Sequence, residues 1–259
     1  MKRFWQIGNI LALAFALVVN FIIGAQLVDR PSIGDISDKY STLLTPASYA
    51  FSIWSLIYIL LIVFVIYQAR DLFRQRKDNH LPQRVGPYFI VASILNGLWT
   101  YVFVSDLVGL SVAILLLLTA SLYALLNRLD IATYNPSLPV IVSIWWPLMI
   151  YTGWVTIASV VNVASWLDSL GYTVTPVIAS LTLVVLMALL VALLTRRHVR
   201  ELVIASTWGI IAIAVRQLQV DGDSAVAIVA FFVSGVLILL VAIHAYMHRP
   251  TSVGKHLQS

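Results

Sequence analysis

The sequence predicts an all-α fold, a polytopic membrane bundle of about eight transmembrane helices. Three observations carry that expectation. Of 259 residues, 61% are hydrophobic and 10% charged, with a mean hydropathy of +0.95, whereas a soluble domain carries about 25% charged residues. Apolar runs long enough to cross a bilayer, about 20 residues each, recur along the chain. Lysine and arginine sort onto one side of the resulting series. A large aqueous domain is therefore excluded. The chain has no cysteine, which rules out disulfides, thiolate catalysis and Cys-based metal sites. The net charge of +5 is accounted for by the sorting, so the expected environment is a lipid bilayer and no nucleic-acid partner is implied.

The runs fall at about 4–28, 47–68, 86–105, 108–126, 139–165, 174–195, 201–218 and 224–247. The first follows Lys2 and Arg3 and exceeds the ~7–15 apolar residues of a signal peptide, so it reads as a helix. The third and fourth flank Asp106 closely, and the seventh, between Glu201 and Leu218, is polar at both ends. Thirteen of the basic residues lie on the side of the N-terminus: Lys2, Arg3, Arg70, Arg74, Arg76, Lys77, Arg84, Arg128, Arg196, Arg197, Arg200, Arg249 and Lys255. The other side holds three, Arg30, Lys39 and Arg216. Short basic loops stay cytoplasmic, so both termini are expected in the cytoplasm, with the chain in a bacterial inner membrane.

Charged groups inside a bilayer are the usual pointers to function, because burying them is costly. Here the spans hold almost none. The four lysines, Lys2, Lys39, Lys77 and Lys255, lie outside them, which excludes a retinal Schiff base. Only His244 among the histidines falls within a span, near its inner end, so it reads as interfacial and neither a pair of axial haem ligands nor a metal cluster is expected. Arg216, beside Asp221 and Asp223, could gate a pathway but reads first as snorkelling to the interface.

The remaining chemistry is aromatic and amide. Phe51, Trp54 and Tyr58 are spaced i, i+3, i+7 on the second span and share a face. Asn96 and Trp99 share one on the third. Pro147, Tyr151, Trp154, Ala158 and Asn162 form a stripe on the fifth. An amide facing lipid is costly, so Asn96 and Asn162 should point into the bundle. Such a wall suits a flat apolar ligand held by indole faces and oriented by amides. The same spacing also suits plain helix packing, with Asn as interhelical glue and Trp at the interfaces.

Residues Thr45 to Tyr58, with Pro46 followed by Phe51, Trp54 and Tyr58, resemble the opening of the second helix in the translocator protein or tryptophan-rich sensory protein (TspO/MBR) family. Leu95-Asn96-Gly97-Leu98-Trp99 resembles its helix-three motif, and Pro147 to Trp166 its helix-five pattern. The match covers about residues 1–166, as a five-helix ligand-binding bundle, and leaves 167–259 as a three-helix membrane extension with a short basic tail. Thr45-Pro46 stands where the family has a double proline, and Pro147 and Tyr151 are four residues apart where the family pair is adjacent.

The resemblance implies a pocket roofed by the loop at about 29–46, with Trp54 and Trp154 as a stacking pair, Asn96 as a hydrogen-bonder and Ala158 allowing close approach. Arg30 or Lys39 in that loop could pair with porphyrin propionates, although its mixed charge reads first as a solvated surface loop. The family binds porphyrins and sterol-like molecules and commonly pairs as a homodimer. The implied function is a membrane sensor or translocator for a flat hydrophobic ligand such as a tetrapyrrole, with no required cofactor. Two alternatives stand beside it: an eight-helix permease for a small hydrophobic substrate, and breakdown of a bound porphyrin by Trp54 and Trp154.

Overall fold

The computed structural model describes residues 2–72, 80–133, 136–220 and 223–247. Arg74, Arg76, Lys77, Asp221, Arg249 and Lys255 lie outside the described residues. Among the described residues, eight helices are long and apolar enough to cross a membrane, and the protein is an integral membrane protein. They are α1 (Lys2–Gly24), α3 (Ile53–Ala69, led in by the 3₁₀ turn Ser48–Ser52), α4 (Leu81–Val104), α5 (Val108–Arg128), α7 (Trp146–Ser169), α8 (Pro176–Arg197), α9 (Arg200–Gln219) and α10 (Ser224–Met247). Two short helices complete the order, α2 (Ile33–Lys39) and α6 (Leu138–Val140).

Local sequence explains the breaks. Asp106, in the two-turn corner between α4 and α5, has φ 67°, a left-handed conformation that Asp tolerates better than most residues. Gly86 takes φ 51° inside α4, just ahead of Pro87, whose ring disfavours helical geometry in the residue before it. Pro147 cannot donate to the carbonyl four residues back, and the chain there widens into a π-helical turn, Ile141–Trp145, before α7. Thr175 caps α8 by accepting from the Ile178 amide, and Pro176 follows at a position where its missing N–H costs nothing. His198 closes α8 with φ 56°.

Helices α1, α4, α5, α7 and α3 pack in that order and close into a ring, because α3 touches both α7 and α1. α2 lies across one end of the ring against α4. Its N-terminus is a capping box, with Ser32 Oγ accepting from the Asp35 amide and Asp35 accepting from the Ser32 amide. The other three spans form a row outside the ring. α9 packs on α7, α10 on α9, and α8 chiefly on α10 with only light contact to α9.

The α7–α9 seam is built from small residues that let backbones approach. A Cβ on Gly153 would sit 2.2 Å from the Leu202 carbonyl oxygen. Ser206 Oγ donates to the Gly153 carbonyl across 2.8 Å. At the end opposite the roof, α1 and α3 are tied by buried amides: Gln6 Nε2 donates to the Gln68 carbonyl and to Asp71 Oδ1, and Gln68 Nε2 donates back to the Gln6 carbonyl. Lys2 pairs with Asp71 there.

Candidate functional site

Under α2, the ring and α9 enclose an aromatic cavity. Six of the nine residues singled out from sequence line it: Phe51, Trp54, Trp99, Trp154, Ala158 and Asn162. The other three stand behind this wall. Tyr58 stacks on Trp54 at 5.4 Å and 22°, Tyr151 meets Trp54 edge to face at 6.0 Å, and the Tyr58 hydroxyl donates to Asn96 Oδ1 at 3.4 Å. Helical spacing placed all nine on inward faces, but a face wide enough for three rings reaches past any single cavity.

Trp54 is the hub. Trp99 lies 5.9 Å away, tilted by 32°, and itself stacks on Phe103 at 5.5 Å. Trp154 meets Trp54 at 6.4 Å and 87°. The two indoles expected to sandwich a ligand thus contact each other edge to face, an arrangement their ring quadrupoles favour. The cavity between them is correspondingly small, about 30 Å³, room for one or two water molecules.

The hydrogen bonds divide these indoles. Trp99 Nε1 donates to Asn162 Oδ1 at 2.9 Å, and Asn162 Nδ2 donates to Ser111 Oγ at 3.0 Å. That amide ties α4, α5 and α7 together. By contrast, Trp54 Nε1, Trp154 Nε1 and Asn96 Nδ2 are buried with no partner among the described residues. An unpaired buried donor costs about 1–3 kcal/mol, and three of them cluster around one wall.

α9 contributes more than sequence spacing indicated. Gly209 lines the cavity, where a Cβ would lie 2.8 Å from an Ile157 methyl. The segment leading into α3 hangs from α9 by three hydrogen bonds: Gln217 Nε2 to the Leu43 carbonyl, the Ala47 amide to the Ala212 carbonyl, and Trp208 Nε1 to the Ala50 carbonyl. Trp208, the lone tryptophan beyond residue 166, was the available signal.

The roof is held from both sides. Asp38 pairs with Arg216 of α9 at 2.9 Å, so this arginine, read from the sequence as snorkelling, meets an acid of the roof helix. Lys39 pairs with Asp106 in the α4–α5 corner, and Arg30 donates to Ser105 Oγ at 2.7 Å. Arg30 and Lys39, the two basic groups that could pair with propionates, therefore already have protein partners. The Lys39 ammonium beside Asp106 holds that carboxyl below its ordinary value and Asp106 raises Lys39 in turn.

His244, read as interfacial, is buried and lies with its Nε2 2.8 Å from His198 Nδ1 in the α8–α9 turn. Among the described residues no group of three or more His, Cys, Asp or Glu could hold a metal.

No curated protein and no solved structure matches the chain. The family model described as TSPO-like protein matches residues 6–243, a span that takes in α9 and most of α10 as well as the ring. The matched residues cover most of the chain, and the chain belongs to the TSPO-like protein family.

Proposed function

We propose that this protein is a membrane receptor or translocator for a flat, largely hydrophobic ligand of the tetrapyrrole class, held at the Trp54–Trp154 wall. The observation that carries the reading is the pair of buried, unpartnered indole N–H groups on Trp54 and Trp154. Both belong to side chains lining one aromatic cavity. An acceptor on a ligand satisfies donors that the protein itself leaves unsatisfied, while the ring faces supply stacking.

The cavity is far smaller than a porphyrin, so binding requires the two rings to part. The contact that must yield is their mutual edge-to-face one, worth about 0.5–1.5 kcal/mol, less than a macrocycle regains by stacking and burial. The thirteen-to-three sorting of basic residues supports cytoplasmic termini, which puts the roof on the opposite side of the membrane. The ligand is bound without a covalent step.

Titration of the detergent-solubilised protein with protoporphyrin IX, followed by tryptophan quenching, tests the reading. Saturable binding weakened at least ~10-fold, about 1.4 kcal/mol, by Trp54→Phe with Trp154→Phe is the expected result. Quenching that never saturates, or that ignores both substitutions, overturns it. Porphyrin flux in proteoliposomes separates a translocator from a receptor.

A further inference from the structure

Beside the aromatic cavity, the foot of the roof and the end of α9 enclose a polar cleft of about 220 Å³. Ser41, Thr42 and Leu43 line it from the roof side, Asp168 from α7, and Arg216 and Gln217 from α9. Gln217 is committed, its side chain holding the Leu43 carbonyl and the Asp223 amide. Asp223 is committed as well, since its Oδ1 caps the start of α10.

The two charged groups of the cleft are under-used. An arginine carries five N–H donors, and the Arg216 side chain is only 17% exposed. Its ion pair is made through Nη1 to an Asp38 carboxylate that is itself 50% exposed. Its Nε is buried with no hydrogen-bond partner among the described residues. Asp168, on the same cleft, makes no side-chain hydrogen bond or ion pair among the described residues.

Helix register brings the two within reach. α7 and α9 run parallel, with Gly153 against Leu202 and Ser206, and Ile157 against Gly209. Continued toward the roof, that register sets Asp168 about one helical turn beyond Arg216. The axial offset is ~6 Å, which an extended arginine side chain spans.

We propose that Arg216 is a two-position latch, holding Asp38 when the roof is shut and swinging across the cleft to Asp168 when α2 lifts. The latch rests on the reading above only in taking the roof as the way in for the ligand. Lifting α2 carries Asp38 away while α9 still holds the Leu43–Ala50 segment. That motion alone would strand a largely buried guanidinium, which is costly without a carboxylate. Asp168 supplies the replacement, and the swing takes Nε out of its orphaned position. Each state pairs the same cation with one acid, so the roof is poised near balance.

The absence of native cysteine makes the test direct. Ser37 lies on α2, lines the aromatic cavity and is 3% exposed, so the thiol of Ser37→Cys meets aqueous reagents when the roof lifts. The full chain in nanodiscs is treated with an anionic and, separately, a cationic methanethiosulfonate. On this background Asp38→Asn should speed modification by at least ~5-fold, and Asp168→Asn should slow it by at least ~5-fold, with both reagents alike. Asp168→Glu, which keeps the carboxylate, should restore the original rate. Once Arg216→Gln is present, Asp168→Asn should have no further effect.

A rate in Asp168→Asn that is unchanged or faster overturns the latch, as does a slowing that persists alongside Arg216→Gln. Opposite changes with the two reagents mark a shift in local potential only and overturn it too. No ligand enters this assay. Thiol kinetics that follow the two acids while porphyrin quenching fails leave the latch standing and remove the tetrapyrrole reading, whereas saturable porphyrin binding with kinetics blind to Asp168 removes the latch alone.

Discussion

Two seams of this protein bury their helices in opposite ways. Between α7 and α9 the contact is made by Gly153, Ser206 and Gly209, with backbone pressed on backbone and the Ser206 hydroxyl satisfied. Between α3 and α7 it is made by Trp54, Tyr151, Trp154 and Phe51, with two indole N–H groups left over. The first arrangement has no alternative packing, since a carbonyl oxygen cannot move aside for a side chain. The second consists of rings that can slide and rotate, and its unsatisfied donors gain from doing so. Rigidity and the capacity to open are thus separated onto the two faces of a single helix, α7.

The largest expected effect is at the rigid seam. Gly153→Leu drives a side chain into the Leu202 carbonyl and should cost about 3 kcal/mol or more, measured as a collapse of the melting midpoint in detergent. A mild shift would mean that α9 is held loosely and that the contrast is false.

The aromatic seam carries its own internal control. Trp→Phe at positions 54, 99 and 154 removes similar ring volume, but only Trp99 loses a hydrogen bond, the one to Asn162. Trp99→Phe should therefore cost about 1–2 kcal/mol more than either of the others. Equal losses at all three would show that the Trp54 and Trp154 donors are satisfied after all. Ser206→Ala should cost about 0.5–1.5 kcal/mol while leaving porphyrin affinity unaltered.

The smallest effect concerns the roof. Asp106 has a lowered pKa, so the stability it contributes is present above its ordinary value of 3.8 and is lost only as pH falls through a still lower one. Lys39 is raised above 10.5, so its share persists at neutral pH and is lost only as pH rises through that higher value. The rate of porphyrin association should accordingly be flat from about pH 5 to 9. A step in that interval would show that a group other than these two controls the association.

Much of this architecture was written in local pattern. The eight spans follow from run length, and the inward faces of α3, α4 and α7 follow from helical spacing of Trp, Tyr and Asn. The boundaries moved where backbone chemistry intervened, as at Gly86-Pro87 and the π turn before Pro147. The roof helix α2 was missed, its segment being read as a loop, although Ser32 and Asp35 carry the capping signal.

The share of α9 in the cavity could not be read from periodicity. Glycine at 209 and hydrogen bonds to carbonyls of residues 43–50 leave no hydrophobic pattern, and Arg216 announces its partner Asp38 only once the chain has folded. The His198–His244 contact likewise depends on a left-handed residue in a two-residue link.

The outer row has a consequence for how the protein is made. α8 and α9 are joined by the shortest of links, yet α8 finds most of its packing on α10, which is synthesised after both. When α9 reaches the bilayer it can dock at once on α7, but α8 must wait, surrounded by lipid, until the last helix leaves the ribosome and inserts between the two. Assembly of that row therefore runs out of sequence order, and a chain cut short before Ser224 would carry one helix with almost nothing to hold it.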